Sequence, residues 1–355
     1  MKSLLRTTAE PVWLPAGDAF QQAQRLAEAG DRLGAIRLAA AQLEGREDSA
    51  IEKAMIRWRS QAFSQLQQRV PQGVWPTPQE DPFPGATGLA EIAAGSLSSK
   101  VLAGAIEHHG SLCVRGLLSG EEAASLREGI DRTFEANAAH YAGTATKADT
   151  VWYSPFDWGE SSPRGNSRSW AESVGGIWTV DSPRMMRRLI DMFERLGLFD
   201  RIAEYFGERP ALSIGKSTLR RANLKPSTDA GHGWHQDGAF LGRVRSVNVW
   251  IALSDCGEDS PGLDIVARRL GYVVQTGSHG AALDWTVGNG VVGLLERGGA
   301  TIVSPQFQAG DAMLFDHLML HRTSAPPGAM RARWAIESWF FAPSAYPMDQ
   351  GPFVI

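Results

Sequence analysis

Residues 233–242 read GWHQDGAFLG, a Trp, a His and an Asp set between glycines. The stretch is too rich in glycine for ordinary core, so a base and a carboxylate two residues apart ask for a reason. Two answers compete: a polar turn that hydrogen-bonds itself, or two ligands of a metal ion. In a strand, residues two apart share a face. His235 and Asp237 would then face one point, with Gln236 on the other side. Their Cβ atoms would lie roughly 6–7 Å apart by strand rise. An imidazole and a carboxylate can close that gap onto one ion at about 2.0–2.2 Å from each ligand atom. Gly231, Gly233 and Gly238 leave the approach uncrowded.

A His-x-Asp triplet alone is a weak signal, and a third ligand is needed. GDAMLFDHLMLHRTSAPPG, residues 310–328, offers His321. Gly310 and Asp311 read as a turn, Ala312 to Phe315 as a strand, and His321 as part of the next strand. Two histidines and one carboxylate form the facial triad of non-heme Fe(II) oxygenases, with three coordination positions open. His232 and His317 are read as bystanders. Their spacing from His235 and His321 suits helices, and both segments read as strand.

The rest of the chain supplies a setting. Between residues 18 and 69, apolar residues recur among alanines in two helices split by AGD, and a third helix follows. This segment is either a cap on the main domain or on a second subunit, or a docking module. Five prolines and three glycines in residues 70–88 make a linker or extended strap. SLCVRGLL reads as a strand, and Ser119 with Glu122 forms a capping box for the next helix. Residues 138–176 lack periodicity and carry Trp152, Tyr153, Phe156, Trp158, Arg164, Arg168 and Trp170. They suit either packing or a substrate lid. Ser182 and Pro183 open a helix that Gly197 interrupts and Gly207 ends. From residue 211 come short strand-like runs with turns between: LSIGKSTLRRANL, SVNVWIALSD, LDIVARR, GYVVQTG, ATIVSPQ, DAMLFD, LMLHRT and RARWAIESWFFA. Many short strands suggest an antiparallel sandwich or barrel. The expected divisions are 1–69 helical, 70–94 linker and 95–355 catalytic.

Composition narrows the class. The 355 residues carry 35 basic and 39 acidic side chains, a net charge of −4, which argues against a nucleic-acid or anionic-membrane surface. Cys113 and Cys256 read as reduced thiols, not a disulfide framework. No apolar run is long enough for a membrane span, and the N-terminus lacks a signal-peptide core, so a cytoplasmic protein is expected.

His-x-Asp, a distant His after a Gly-Asp strand, and an Arg about a dozen residues later together resemble the phytanoyl-CoA dioxygenase family of Fe(II)/2-oxoglutarate oxygenases. HGSLCVRGLLSGEEAASLREGID, LGLFDRIAEYFGERPAL and NVWIALSD resemble the family in style, so the likeness runs over about residues 95–341. It implies an α+β fold: a double-stranded β-helix, or jelly roll, with flanking helices, beside the extra N-terminal helices. It assigns iron to His235, Asp237 and His321, and implies that Arg333 or Arg331 anchors 2-oxoglutarate, Arg333 being preferred. Trp250 matches a position lining the cosubstrate pocket, with Lys216 and Arg220 as further candidates. The implied reaction uses Fe(II), 2-oxoglutarate and O2 to oxidise a small-molecule C–H, by hydroxylation as the default, giving succinate and CO2. A metal-dependent oxygenase without 2-oxoglutarate and a non-catalytic binding protein are the alternatives. Two phrases depart from the family: LDIVARRLGYV stands where it has PGSH, and HRTSAPPG lacks its Asn. Both lie nearer to substrate than to metal. The substrate is expected to be sizeable, anionic or carrier-bound, and met by Arg268 and Arg269 if they are not simply solvated. The N-terminal helices offer a route to a homodimer.

Overall fold

Alternation along the strands sorts the apolar residues of this chain into two cores. In the computed structural model, which describes residues 16–68, 70, 75–157, 168–222, 233–324 and 331–355, helices α1 (Ala16–Glu28), α2 (Arg32–Gln42) and α3 (Ser49–Gln61) come first. Strand β1 (Glu91–Ala93), helix α4 (Ser99–His109), strand β2 (Ser111–Arg115) and helix α5 (Gly120–Tyr141) follow. Then come α6 (Arg168–Ser173), β3 (Gly176–Trp178), α7 (Pro183–Arg195) and α8 (Leu198–Phe206). The remainder holds β4 (Ala211–Ser213), β5 (Thr218–Ala222), α9 (Gly238–Leu241), β6 (Ser246–Ala252), β7 (Gly262–Val266), α10 (Asn289–Arg297) and β8 (Ile302–Val303). Strands β9 (Ala312–Phe315), β10 (His321–Ser324), β11 (Arg333–Phe341) and β12 (Pro352–Val354) complete it.

Among the described residues, nine strands form one sheet with the order β1-β2-β9-β6-β11-β4-β12, and with β5 branching from β11 and β3 pairing with β5. A second sheet has the order β10-β7-β8. Val247, Val249 and Ile251 of β6, Leu314 of β9 and Ile336 and Phe340 of β11 share a core with α4, α5, α7 and α8. The alternate residues Trp250, Met313, Phe315, Ala335 and Trp339 face the opposite way and pack with Leu263 and Ile265 of β7. Helices therefore cover one face of the large sheet, and the small sheet faces the other. Arg333 and Glu337, in the same alternation as Ala335 and Trp339, point inward.

Local signals place the helices as the sequence suggests. Ser119 and Glu122 form the reciprocal capping box of α5. Gly197 and Gly207 take positive φ at either end of α8, where a Cβ would be strained. The first three helices share the inner core through Ala23 of α1, Ile36 of α2 and Ile51, Met55 and Trp58 of α3, beside Val354 of β12. Arg59 donates to the Val354 carbonyl at 2.9 Å, and Arg184 of α7 reaches the buried Glu52 carboxylate at 2.9 Å.

Three expectations need correction. GYVVQTG forms no strand: its backbone serves a side chain instead, with the Val274 N–H donating to Gln236 Oε1. Strand β1 lies inside the stretch expected as a linker and pairs in parallel with β2. The rest of the described strap is docked, with Trp75 donating to the Tyr205 carbonyl and Asp81 paired with His109. The third correction concerns residues 233–237.

Candidate metal centre

His235 and Asp237 do not occupy one regular strand. His235 makes an isolated antiparallel bridge to His321, with N–H to carbonyl distances of 2.9 and 3.0 Å in the two directions. The chain then turns. Asp237 has helical dihedrals, φ −61° and ψ −23°, and caps the short helix α9. The two side chains converge because a turn follows the bridge, not because a strand alternates. Gln236, wholly buried, fixes that turn: its amide donates to the Leu318 and Tyr272 carbonyls at 2.6 and 3.0 Å and accepts from Val274 N–H at 2.8 Å. Gly238 sits in a tight spot: an added Cβ would lie 3.1 Å from the His317 carbonyl oxygen and 3.0 Å from Val273 Cγ2, so these neighbours would have to give by a few tenths of an ångström.

One ligand atom from each of His235, Asp237 and His321 lies within 4.8 Å of the other two. No other group of three such residues among the described ones does so. Both rings are oriented by their far nitrogens. His235 Nδ1 meets the Gly233 carbonyl and His321 Nδ1 the Met319 carbonyl, each at 3.0 Å. A carbonyl only accepts, so each Nδ1 carries a proton, and in the neutral ring the lone pair is left on Nε2. That is the tautomer a cation needs, fixed by second-layer hydrogen bonds. Desolvation, then the neighbouring His321, pulls the His235 imidazole down to about 4, so it is neutral at pH 7. Burial works against ionising Asp237, but Lys216 and the two histidines outweigh it and hold the carboxyl at about 2. One carboxylate and two imidazoles oriented by their Nδ1–H groups form a donor set that suits a divalent first-row metal.

Lys216, a candidate cosubstrate contact by sequence, instead binds Asp237: its Nζ is 2.6 Å from Oδ1. The other oxygen, Oδ2, faces His321 Nε2 at 4.0 Å. One carboxylate oxygen is held by Lys216 and one is turned toward the histidines.

The donors open into a cavity of about 90 Å³ between the two sheets. Arg333 lines it, 1% exposed, with Nη1 on the Gly262 carbonyl at 2.9 Å and with Nε lacking any partner among the described residues. Burial first, then Arg220, lowers the guanidinium to about 10. Trp250 lies beside it, 5.6 Å from ring centre to Cζ. Arg220 also lines the cavity but pairs with Glu337 at 3.0 Å. Arg331 does not belong here: it precedes β11, is exposed and pairs with Asp259. Arg268 and Arg269 also lie elsewhere; Arg269 binds the buried Asp316. The sequence reading missed the part-buried Glu337 and the buried Asn248, two polar groups on the cavity wall. Their inward phase on β11 and β6 was the available signal.

A family model described as phytanoyl-CoA dioxygenase (PhyH) matches residues 106–329, well over half of the chain. This chain belongs to the phytanoyl-CoA dioxygenase family. The match includes His235, Asp237 and His321 and stops short of Arg333. No curated protein matches the sequence. Several solved structures are similar. The carbocyclase SnoK of nogalamycin biosynthesis, described as non-heme and alpha-ketoglutarate dependent, is 15% identical, with 71% of this chain and 87% of that one covered at a TM-score of 0.45. EctD from S. alaskensis, with 2-oxoglutarate and 5-hydroxyectoine, is 18% identical over 79% and 87% at 0.46. EvdO2 from Micromonospora carbonacea var. aurantiaca, complexed with 2-oxoglutarate, is 16% identical over 67% and 88% at 0.43. The assignment to the phytanoyl-CoA dioxygenase family rests on the family match alone.

In this family member the aromatic segment divides in two. Trp152 is ringed by the guanidiniums of Arg132, Arg184 and Arg188 at 5.3–5.6 Å, far from the donors in role, and Arg168 pairs with the buried Asp181. Trp170 does line the cavity. Trp158, Arg164, Gly231 and His232 lie outside the described residues. His317 meets Ser246 Oγ through Nδ1 at 3.0 Å. No described helix is long and apolar enough to cross a membrane.

Proposed function

We propose that this protein is an Fe(II)- and 2-oxoglutarate-dependent oxygenase that hydroxylates an unactivated C–H of a small molecule, with succinate and CO2 as coproducts. The observation that carries the reading is the convergence of two Nε2 lone pairs and one carboxylate oxygen within 4.8 Å at the wall of a cavity. Two facing sheets with the donors between them support a jelly-roll barrel as the scaffold. His235, Asp237 and His321 hold the iron. When bound with its cosubstrate and O2, iron supplies the oxidising power for C–H cleavage.

The remaining roles belong to the chain. Carbonyls of Gly233 and Met319 keep both imidazoles in the ligating tautomer. Lys216 occupies Asp237 Oδ1, leaving Oδ2 for the ion. Arg333 binds the distal carboxylate of 2-oxoglutarate, for which a planar, always-charged fork is suited. A reading without 2-oxoglutarate leaves this buried guanidinium without an ion pair among the described residues, since its hydrogen bond runs to a carbonyl. Trp250, Phe315 and Leu263 keep water from the reacting centre. In this reading the divisions 1–69, 70–94 and 95–355 are a cap, a strap and a catalytic part, and the exposed surface of α1–α3 offers the dimer contact. The test is succinate formation from 2-oxoglutarate with Fe(II), wild type against His235→Ala. Loss in the variant is expected; equal succinate in both sinks the assignment.

A further inference from the structure

Half of the exposed large apolar side chains among the described residues gather at one place. Of eight, Trp170, Phe240, Tyr272 and Val273 line the cavity or adjoin it. Phe240 is 43% exposed and Tyr272 60%. Tyr272 and Val273 pack on the turn that carries Asp237: the Tyr272 carbonyl accepts from Gln236, and Val273 Cγ2 borders Gly238. Scattered apolar residues are normal on a surface, but a clustered patch continuous with a cavity marks a ligand surface.

The rings are ordered toward the donors. Trp285 stands at 86° to the His235 ring, 5.6 Å between centroids, and at 90° to Phe240, 5.9 Å away. Lys216 Nζ lies 4.5 Å from the Phe240 centroid and covers one face of that ring. Phe240 is thus held by a cation over one face and by a perpendicular ring, and its exposure leaves ring surface open beside the donors. An aromatic face held in place takes another flat ring by offset stacking better than it takes a flexible chain.

Charge points the same way. The described cations of the cavity are Lys216, Arg220 and Arg333. Lys216 is committed to Asp237 and Arg220 to Glu337. Under the function proposed above, on which this step rests, Arg333 meets the cosubstrate. No described cation of the cavity remains for a substrate anion. We infer that the substrate is a neutral, flat, ring-bearing molecule that stacks on Phe240 at the cavity mouth, in place of the anionic one the sequence suggested.

The test measures binding without turnover, by equilibrium dialysis on the full chain loaded with Zn(II) and 2-oxoglutarate. Three probes are compared: 2-naphthol, neutral and flat; 2-naphthoate, the same rings with a charge; and 1-decanol, neutral without a ring. 2-Naphthol is expected to bind most tightly, and Phe240→Leu, which keeps an apolar side chain but removes the ring, is expected to weaken it about tenfold or more, with Zn(II) affinity unchanged. Tighter binding of naphthoate overturns the neutral half of the inference. Tighter binding of decanol, or unaltered 2-naphthol affinity in Phe240→Leu, overturns the ring half, and absence of binding by all three overturns both. Succinate formation with Fe(II) is measured separately. If it fails while 2-naphthol binds as expected, the oxygenase reading falls and the aromatic mouth stands.

Discussion

Replacing Arg333 by Met should make the protein more stable while removing its response to 2-oxoglutarate. Arg333 is 1% exposed and, among the described residues, makes one hydrogen bond, to the Gly262 carbonyl, and no ion pair within 4 Å. Its guanidinium falls from 12.5 to about 10, chiefly by burial. At 1.36 kcal/mol for each tenfold step, the charged form is disfavoured in the folded chain by about 3 kcal/mol. Because the folded value lies below the unfolded one, that penalty is fully present at pH 7. Against it stand the lost hydrogen bond, about 1.5 kcal/mol, and the contact with the Trp250 ring, about 0.5–1 kcal/mol. Met fills comparable volume without a charge. The net is a gain of about 1 kcal/mol, the sign seen when buried ionic groups give way to packed apolar ones. The assay is urea unfolding of the metal-free chains, followed by thermal unfolding of Zn(II)-loaded chains with and without 2-oxoglutarate. Wild type should gain thermal stability with 2-oxoglutarate and Arg333→Met should not. A variant that loses several kcal/mol, or that still responds to 2-oxoglutarate, refutes the reasoning.

Further outcomes follow from the same contacts. Lys216→Met leaves the Asp237 carboxylate buried without its ammonium, so the metal-free chain should lose about 3 kcal/mol; since a cation re-partners Asp237, chemical denaturation should show a smaller loss with Zn(II) than with EDTA. Gln236→Leu removes three hydrogen bonds that shape the turn, and should cost about 2–4 kcal/mol and weaken Zn(II) binding in calorimetry. The His235 imidazole is depressed to about 4, so between pH 6.5 and 4 the unfolded chain takes up a proton that the folded one refuses. Stability of the metal-free protein should therefore fall as pH drops through that window, and His235→Gln should flatten the fall; an unchanged pH dependence in the variant contradicts the assignment.

The convergence of His235, Asp237 and His321 was legible because their residue types are those of a metal site, and they need only a bridge and a turn to meet. Arg333 was legible from its place at the start of an inward-alternating strand. Arg331 shares the alternation by number, but it lies before β11 begins, where Asp259 draws it to the surface. Lys216 was visible as a cation near the site, but its partner was not, because a contact between Lys216 and Asp237 depends on how β5 sits against the turn. GYVVQTG has the composition of a strand, and local propensity lost to Gln236, which takes up its backbone. Phe240 and Trp285 carry no spacing signal at all, since a loop remote in sequence brings Trp285 over the His235 ring.

The most direct measurement is metal stoichiometry. Purified chain, stripped with EDTA and titrated with Fe(II) in the absence of oxygen, should take up one ion per chain, while His321→Ala and Asp237→Ala, folded by circular dichroism, should take up none at the same concentration. One ion per chain bound with equal affinity by wild type and both variants contradicts the shared site and everything built upon it.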